Sequence, residues 1–170
     1  MADRSQSESA LVLFSERLTN SAVFGALFRE GMDLVEETAA YLDGDGRTEA
    51  KALERSVSLT YATESMRLTT RLMQLASWLL LHRAVKEGEM TLTQANREKT
   101  KVKLTAADPG PEDMIAKLPQ QLQDLIARSM SLQTRVRRLD ISIHAPAAER
   151  APIGNPLVPQ LNRLKAAFEQ

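Results

Sequence analysis

RLTTRLMQLASWLLLHRAV, residues 67–85, is the densest part of a run from Arg47 to Glu87 that contains neither proline nor glycine. Its apolar residues return every three or four positions, the period of a helix face. A helix over the whole run would have roughly 40 residues and a length of about 60 Å, well beyond the usual globular helix. Such a rod is unstable alone in water, because its apolar faces need partners. The sequence thus predicts one long central helix with the rest of the chain packed around it. Leu53, Val57, Tyr61, Leu68, Leu72, Leu75 and Leu79 form one broad stripe. Met66, Met73, Leu80 and Ala84 extend it onto a second face, and Trp78 is the only tryptophan. Tyr61, Met66, Leu72, Met73, Leu75, Trp78, Leu79 and Leu80 are therefore the candidates for a dimer or core face. Either one face packs within the subunit and the other against a second copy, or both are buried within one subunit.

Upstream, Asn20 or Ser21 is placed to cap a helix. Phe24, Leu27, Phe28, Gly31, Leu34, Val35, Thr38 and Leu42 follow at helical spacing. Gly31 within that pattern implies the close approach of a neighbouring helix, since glycine costs about 1 kcal/mol there relative to alanine. Glu30, Asp33, Glu36 and Glu37 give the helix an acidic surface, a candidate partner-binding patch. Asp43-Gly44-Asp45-Gly46 is expected to end it. A short helix is also expected over Ser9–Leu18.

Downstream, Glu87-Gly88-Glu89 closes the long helix. Thr91 and Gln94 have the spacing of a capping box, opening a helix expected to run to about Leu104. Asp108-Pro109-Gly110-Pro111 is a break. Leu118, Leu122, Leu125, Ser129, Leu132, Val136, Leu139 and Ile143 then alternate by four and three, with one polar member. This predicts a third main helix over Pro119–Ile141. Pro146, Pro152, Pro156 and Pro159 mark a change of texture. Residues 1–143 read as one helical domain and 144–170 as a Pro-rich flexible tail. Within the tail, Leu157, Leu161, Leu164 and Phe168 share a helical face: a recognition helix that orders on a partner, or one that folds back on its own bundle.

The composition excludes several functions. The formal net charge is zero, from 22 basic and 22 acidic residues, which argues against a general nucleic-acid-coating protein. Arg128, Arg135, Arg137 and Arg138 cluster, but a charge run on a helix is ordinarily its solvated face. Glu64, Arg67 and Arg71 read the same way by default, although a Glu64–Arg67 pair is allowed at this spacing. There is no cysteine, which suits a reducing cytosol. The N-terminus lacks the basic and apolar regions of a secretory signal. The most apolar run, Leu75–Leu81, is too short to span a bilayer. His82 and His144 are the only histidines. Without an H-x-x-x-H or E-x-x-H spacing, a carboxylate–histidine metal site has no basis in the sequence. No nucleophile elbow or phosphate-cradling loop is present. The residues point to a non-enzymatic protein with no metal or cofactor.

Two long segments carry a resemblance. LFREGMDLVEETAAYLDGDGR, residues 27–47, and YATESMRLTTRLMQLASWLLLHRAVKEGEMTLTQANREKTKVKL, residues 61–104, resemble the alphaproteobacterial RcdA family, regulator of CtrA degradation, also known as DUF1465. The likeness covers roughly residues 10–143. It implies an all-α three-helix bundle with a long central helix, a homodimer, and a flexible C-terminal tail. It also implies a non-enzymatic adaptor that helps the ClpXP protease degrade CtrA-like cargo together with CpdR-like and PopA-like partners, cyclic di-GMP being bound by the PopA-like one. Location would be cytoplasmic, concentrated at a cell pole, without nucleic acid or membrane insertion. The alternative is a dimeric scaffold of polar or cell-cycle organisation with no delivery role.

Overall fold

The computed structural model describes residues 21–99, 101 and 110–144, and among these every regular element is a helix. In chain order they are α1 (Ala22–Asp43), α2 (Asp45–Ala52), α3 (Arg55–Lys86), α4 (Leu92–Lys99), α5 (Glu112–Ile115) and α6 (Gln120–His144). The three long helices, α1, α3 and α6, pack against one another pairwise, with the short ones around them. The helix expected over Ser9–Leu18 and the tail residues Leu157, Leu161, Leu164 and Phe168 lie outside the described residues, as do Lys103 and Leu104 at the expected end of α4.

Local signals decide most helix ends. The Ser21 hydroxyl accepts the Phe24 N–H at 3.3 Å and so caps α1. Thr91 and Gln94 form the reciprocal box: Gln94 N–H donates to Thr91 Oγ1 at 3.2 Å, and Thr91 N–H donates to Gln94 Oε1 at 2.9 Å. At the end of α3, Gly88 takes φ +76°. Its N–H reaches Val85 O at 3.1 Å, and that of Glu89 reaches Ala84 O at 3.0 Å. This pair of bonds is a Schellman motif, for which glycine is the natural residue.

The central helix is shorter than expected. Leu53 and Glu54 are extended, with ψ of 148° and 153°, so the helix begins at Arg55 rather than near Arg47. Asp45 and Gly46, expected to belong to a terminating turn, instead start the separate helix α2. The cause is tertiary. Tyr41 donates its hydroxyl proton to Glu49 at 2.7 Å. A Cβ on Gly46 would fall 2.6 Å from the Tyr61 hydroxyl and 2.7 Å from Tyr41 O. The bend lets α2 lie against this tyrosine pair. At the other end, α6 continues past Ile141 to His144, because Ile143 is buried and His144 has partners described below.

The core is mostly aliphatic. The α6 stripe is buried as its spacing predicts, through Leu122, Leu125, Ser129, Leu132, Val136 and Ile143, with Leu139 packed at its edge. Gly31 sits where α1 crosses the other two long helices. A Cβ there would lie 2.5 Å from Leu79 Cδ1 and 3.6 Å from Leu132 Cδ2.

The buried seam of α3 is the main departure from the sequence expectation. It runs Val57, Tyr61, Glu64, Leu68, Arg71, Leu75, Trp78, His82, alternating by four and three, with Leu72 and Leu79 beside it. Glu64 and Arg71, expected on a solvated face, are each only 1% exposed. Part of each charged group is partnered, while Glu64 Oε2 and Arg71 Nε are buried with no hydrogen-bond partner among the described residues. Glu64 Oε1 pairs with Arg67 and accepts the Gly110 N–H at 3.1 Å. Arg71 Nη1 donates to Ser129 Oγ at 2.9 Å, and Ser129 donates to Ile126 O at 2.7 Å. The polar interruption of the α6 stripe thus meets the polar interruption of α3. Burial pulls the Arg71 pKa below its usual value.

Candidate functional site

The faces of α3 differ in a way the sequence left open. Tyr61, Leu72, Leu75, Trp78 and Leu79 belong to the core, whereas Leu59 (71%), Met66 (72%), Met73 (65%) and Leu80 (52%) are exposed. These four are spaced seven apart, so they form a line along one side of the helix. Small residues lie between them: Ala62, Thr63, Thr69, Thr70, Ala76 and Ser77. Each large residue borders a shallow concavity. That at Met73, about 350 Å³, lies between α1 and α3 and is lined by Val35, Thr38, Ala39, Leu42, Thr69, Leu72 and Ala76. Large apolar knobs beside small-residue holes are what helix-to-helix docking requires.

The acidic surface of α1 is partly used within the chain. Arg135 forms a two-pronged pair with Glu30. Arg128 reaches Glu37 at 2.7 Å. The hydrogen bond from Arg135 draws the Glu30 pKa down, offset in part by burial. Two members of the basic cluster therefore bind α6 to α1. This removes part of the charge that would be offered to phosphate, and part of the acidic patch offered to a partner. Asp33 and Glu36 remain exposed.

A third site joins residues far apart in sequence. The Trp78 ring stacks on His82, centroids 3.9 Å apart, and His144 meets His82 edge-on at 5.9 Å. Asp140, on α6, accepts the Trp78 indole N–H at 2.8 Å and pairs with Lys99 at 2.6 Å. His144 Nδ1 lies 2.8 Å from Asp140 O and 3.2 Å from Asp140 Oδ1, and its Nε2 meets Asn96 of α4. His82 Nδ1 lies 2.9 Å from Trp78 O. One donor atom from each of His82, Asp140 and His144 lies within 4.8 Å of the others. The sequence reading, which found no metal-ligand spacing, did not anticipate this carboxylate–histidine cluster. Asp140 and His144 are four apart on one helix, a spacing that places both on one face. That spacing was visible in the sequence. The third member, from α3, was not.

Burial pushes the Asp140 pKa up, but hydrogen bonds from His144, Lys99 and Trp78 outweigh it and hold the carboxyl below its usual value. Burial lowers the His82 pKa from 6.5 to about 4, helped by nearby His144 and Lys99 and opposed by Trp78 O and Asp140. The folded chain then keeps His82 neutral down to about pH 4, while the unfolded chain protonates it below 6.5. Its contribution is fully present above pH 6.5 and is lost as pH falls towards 4. The loss amounts to about 3 kcal/mol, from the size of the shift. Urea unfolding at stepped pH in chelator-containing buffer should show that decline in the natural chain. A His82→Gln chain should show a shallower one, and equal slopes would refute the assignment.

No helix among the described residues is long and apolar enough to cross a membrane. The family model DUF1465, a protein of unknown function, matches residues 15–168. RcdA from Caulobacter crescentus CB15, known from a crystal structure, is 50% identical with a TM-score of 0.62; the match covers 75% of this chain and 96% of that one. No curated protein matches.

Proposed function

The chain belongs to the DUF1465 family, and from that premise we propose that it is a non-enzymatic adaptor in the regulated degradation of cell-cycle proteins. The observation that carries this reading is the likeness to RcdA, half-identical over nearly all of that protein's length. The protease is ClpXP, primed by a CpdR-like response regulator, with CtrA-like cargo and a PopA-like cyclic-di-GMP-binding partner. The adaptor works in the cytoplasm, concentrated at a cell pole. Its physical task is to raise the local concentration of cargo beside the unfoldase, turning a bimolecular capture into a tethered one.

The adaptor is a homodimeric three-helix bundle in this reading, and its dimer seam is the α3 line Leu59, Met66, Met73, Leu80. Exposure, heptad spacing and the intervening small residues support that choice over the acidic face, half of whose charge is engaged with α6. Asp33 and Glu36 on α1, and Leu157, Leu161, Leu164 and Phe168 of the Pro-rich C-terminal segment, are left for partners and cargo.

The test is cargo turnover in a reconstituted ClpXP reaction containing a CpdR-like protein, with cargo well below saturation. Adding the chain should speed degradation of a CtrA-like substrate by about tenfold or more, the scale of a modest tethering gain. The gain should vanish without the CpdR-like protein. An unchanged rate for every co-purifying protein would instead favour a scaffold without a delivery role.

A further inference from the structure

We propose that His82, Asp140 and His144 form a binding site for a divalent transition-metal ion of the zinc type, with Lys99 as a competing internal cation. The donor set is two imidazoles and one carboxylate, a combination suited to zinc with a fourth position left for water. One ligand comes from α3 and two from adjacent turns of α6, so an ion would join the two helices.

A hydrogen bond fixes the ligating tautomer of His82. His82 Nδ1 faces Trp78 O at 2.9 Å, and His144 Nδ1 faces Asp140 O at 2.8 Å. A carbonyl oxygen only accepts, so His82 Nδ1 carries the proton and its lone pair is left on Nε2; His144 has an oxygen at each ring nitrogen, Asp140 O at Nδ1 and Asn96 Oδ1 at Nε2, and would give up one of these contacts to ligate. Backbone carbonyls impose this same tautomer on metal-bound histidines. Among the described residues, His82 Nε2 is buried with no hydrogen-bond partner, in a residue that is 0% exposed. A buried acceptor without a donor is costly unless something fills the role.

The triad is wider than a loaded site. Donor atoms lie within 4.8 Å of one another, whereas two ligands of one tetrahedral zinc ion are about 3.3 Å apart. Closure by up to about 1.5 Å can come from Asp140 and His144, whose side chains are 15% and 21% exposed. The same partial exposure opens a route for the ion. Lys99 holds the position opposite: its ammonium lies 2.6 Å from Asp140 Oδ1 and 3.4 Å from His144 Nδ1. A flexible lysine can swing away, so metal binding would release the contact that ties the end of α4 to α6.

Trp78 provides the readout. It is the sole tryptophan, it stacks on His82 and it donates to Asp140. Zinc chloride titrated into the untagged, chelator-stripped full chain should change its emission saturably, with one ion per chain. Lys99→Met should tighten binding by about tenfold by removing the competing charge. His82→Gln and His144→Gln should each weaken it by more than about tenfold. Cobalt(II) should show the visible bands of a four-coordinate site with nitrogen and oxygen ligands. His144 is the last residue of α6 and partly exposed, so His144→Gln keeps the test valid even if His82→Gln fails to fold. Lack of saturation up to about 100 µM zinc in both the natural chain and Lys99→Met would overturn the proposal, because such affinity is too weak for a built site. Affinity unchanged in His144→Gln would also overturn it.

Discussion

Trp78→Ala is expected to lower the unfolding free energy by about 3–5 kcal/mol, the range for truncating a large buried aromatic residue. Trp78 is 0% exposed and among the largest fully buried side chains. Its ring touches Phe24 of α1, at a centroid distance of 6.2 Å, and His82 of its own helix. Its indole N–H reaches Asp140 of α6. One side chain therefore joins all three long helices, and surrounding residues cannot close the cavity without moving a helix. Trp78→Phe separates the two contributions. It keeps most of the ring contact but removes the donor, and is expected to cost about 1–3 kcal/mol because the lost hydrogen bond is to an ionised carboxylate. Urea unfolding followed by far-UV circular dichroism measures both. A Trp78→Ala cost below about 1 kcal/mol, the level of an ordinary surface change, would contradict this packing.

Met66→Glu combined with Met73→Glu is expected to convert the proposed dimer to a monomer, raising the dissociation constant by at least about 100-fold. The two methionines occupy the middle of the exposed α3 line. In a seam of two such helices they would be desolvated, and a carboxylate placed there would be buried without a partner. In the free subunit they face water, so the same changes should alter its stability by only about 0.5 kcal/mol per site. Sedimentation equilibrium and circular dichroism together separate the two effects. A dimer that survives both substitutions would move the seam elsewhere and leave this face for another partner. A natural chain already monomeric at micromolar concentration would exclude the dimer altogether.

The helix types and most helix ends were legible in the sequence, because their causes are local. Ser21, Thr91 with Gln94, and Gly88 satisfy backbone groups within a few residues of themselves. The α6 stripe was legible because its members, Ser129 excepted, are apolar and periodic. The break before Arg55 was not legible, since no proline or glycine marks it; Tyr41, Glu49 and Tyr61 impose it from neighbouring helices. Nor was the buried path through Glu64, Arg71 and His82. Periodicity analysis assigns charged residues to solvent, and whether a charge can be buried depends on partners far along the chain. The partners here are Ser129, Gly110 and the α6 cluster.

By itself, the sequence determined an all-helical chain with one long central helix, two apolar faces on that helix, and membership of its family through long matching segments. These follow from residue type, spacing and identity alone. The tertiary structure decided which face of α3 is core and which is exposed. It tied Glu30 and Glu37 to α6 arginines, and it brought His82 to Asp140 and His144. The physical reason is that a helix repeats its side chains every turn but carries no record of the neighbour each face will meet. That choice is made by how three helices share one core, through contacts between residues about 60 to 100 positions apart.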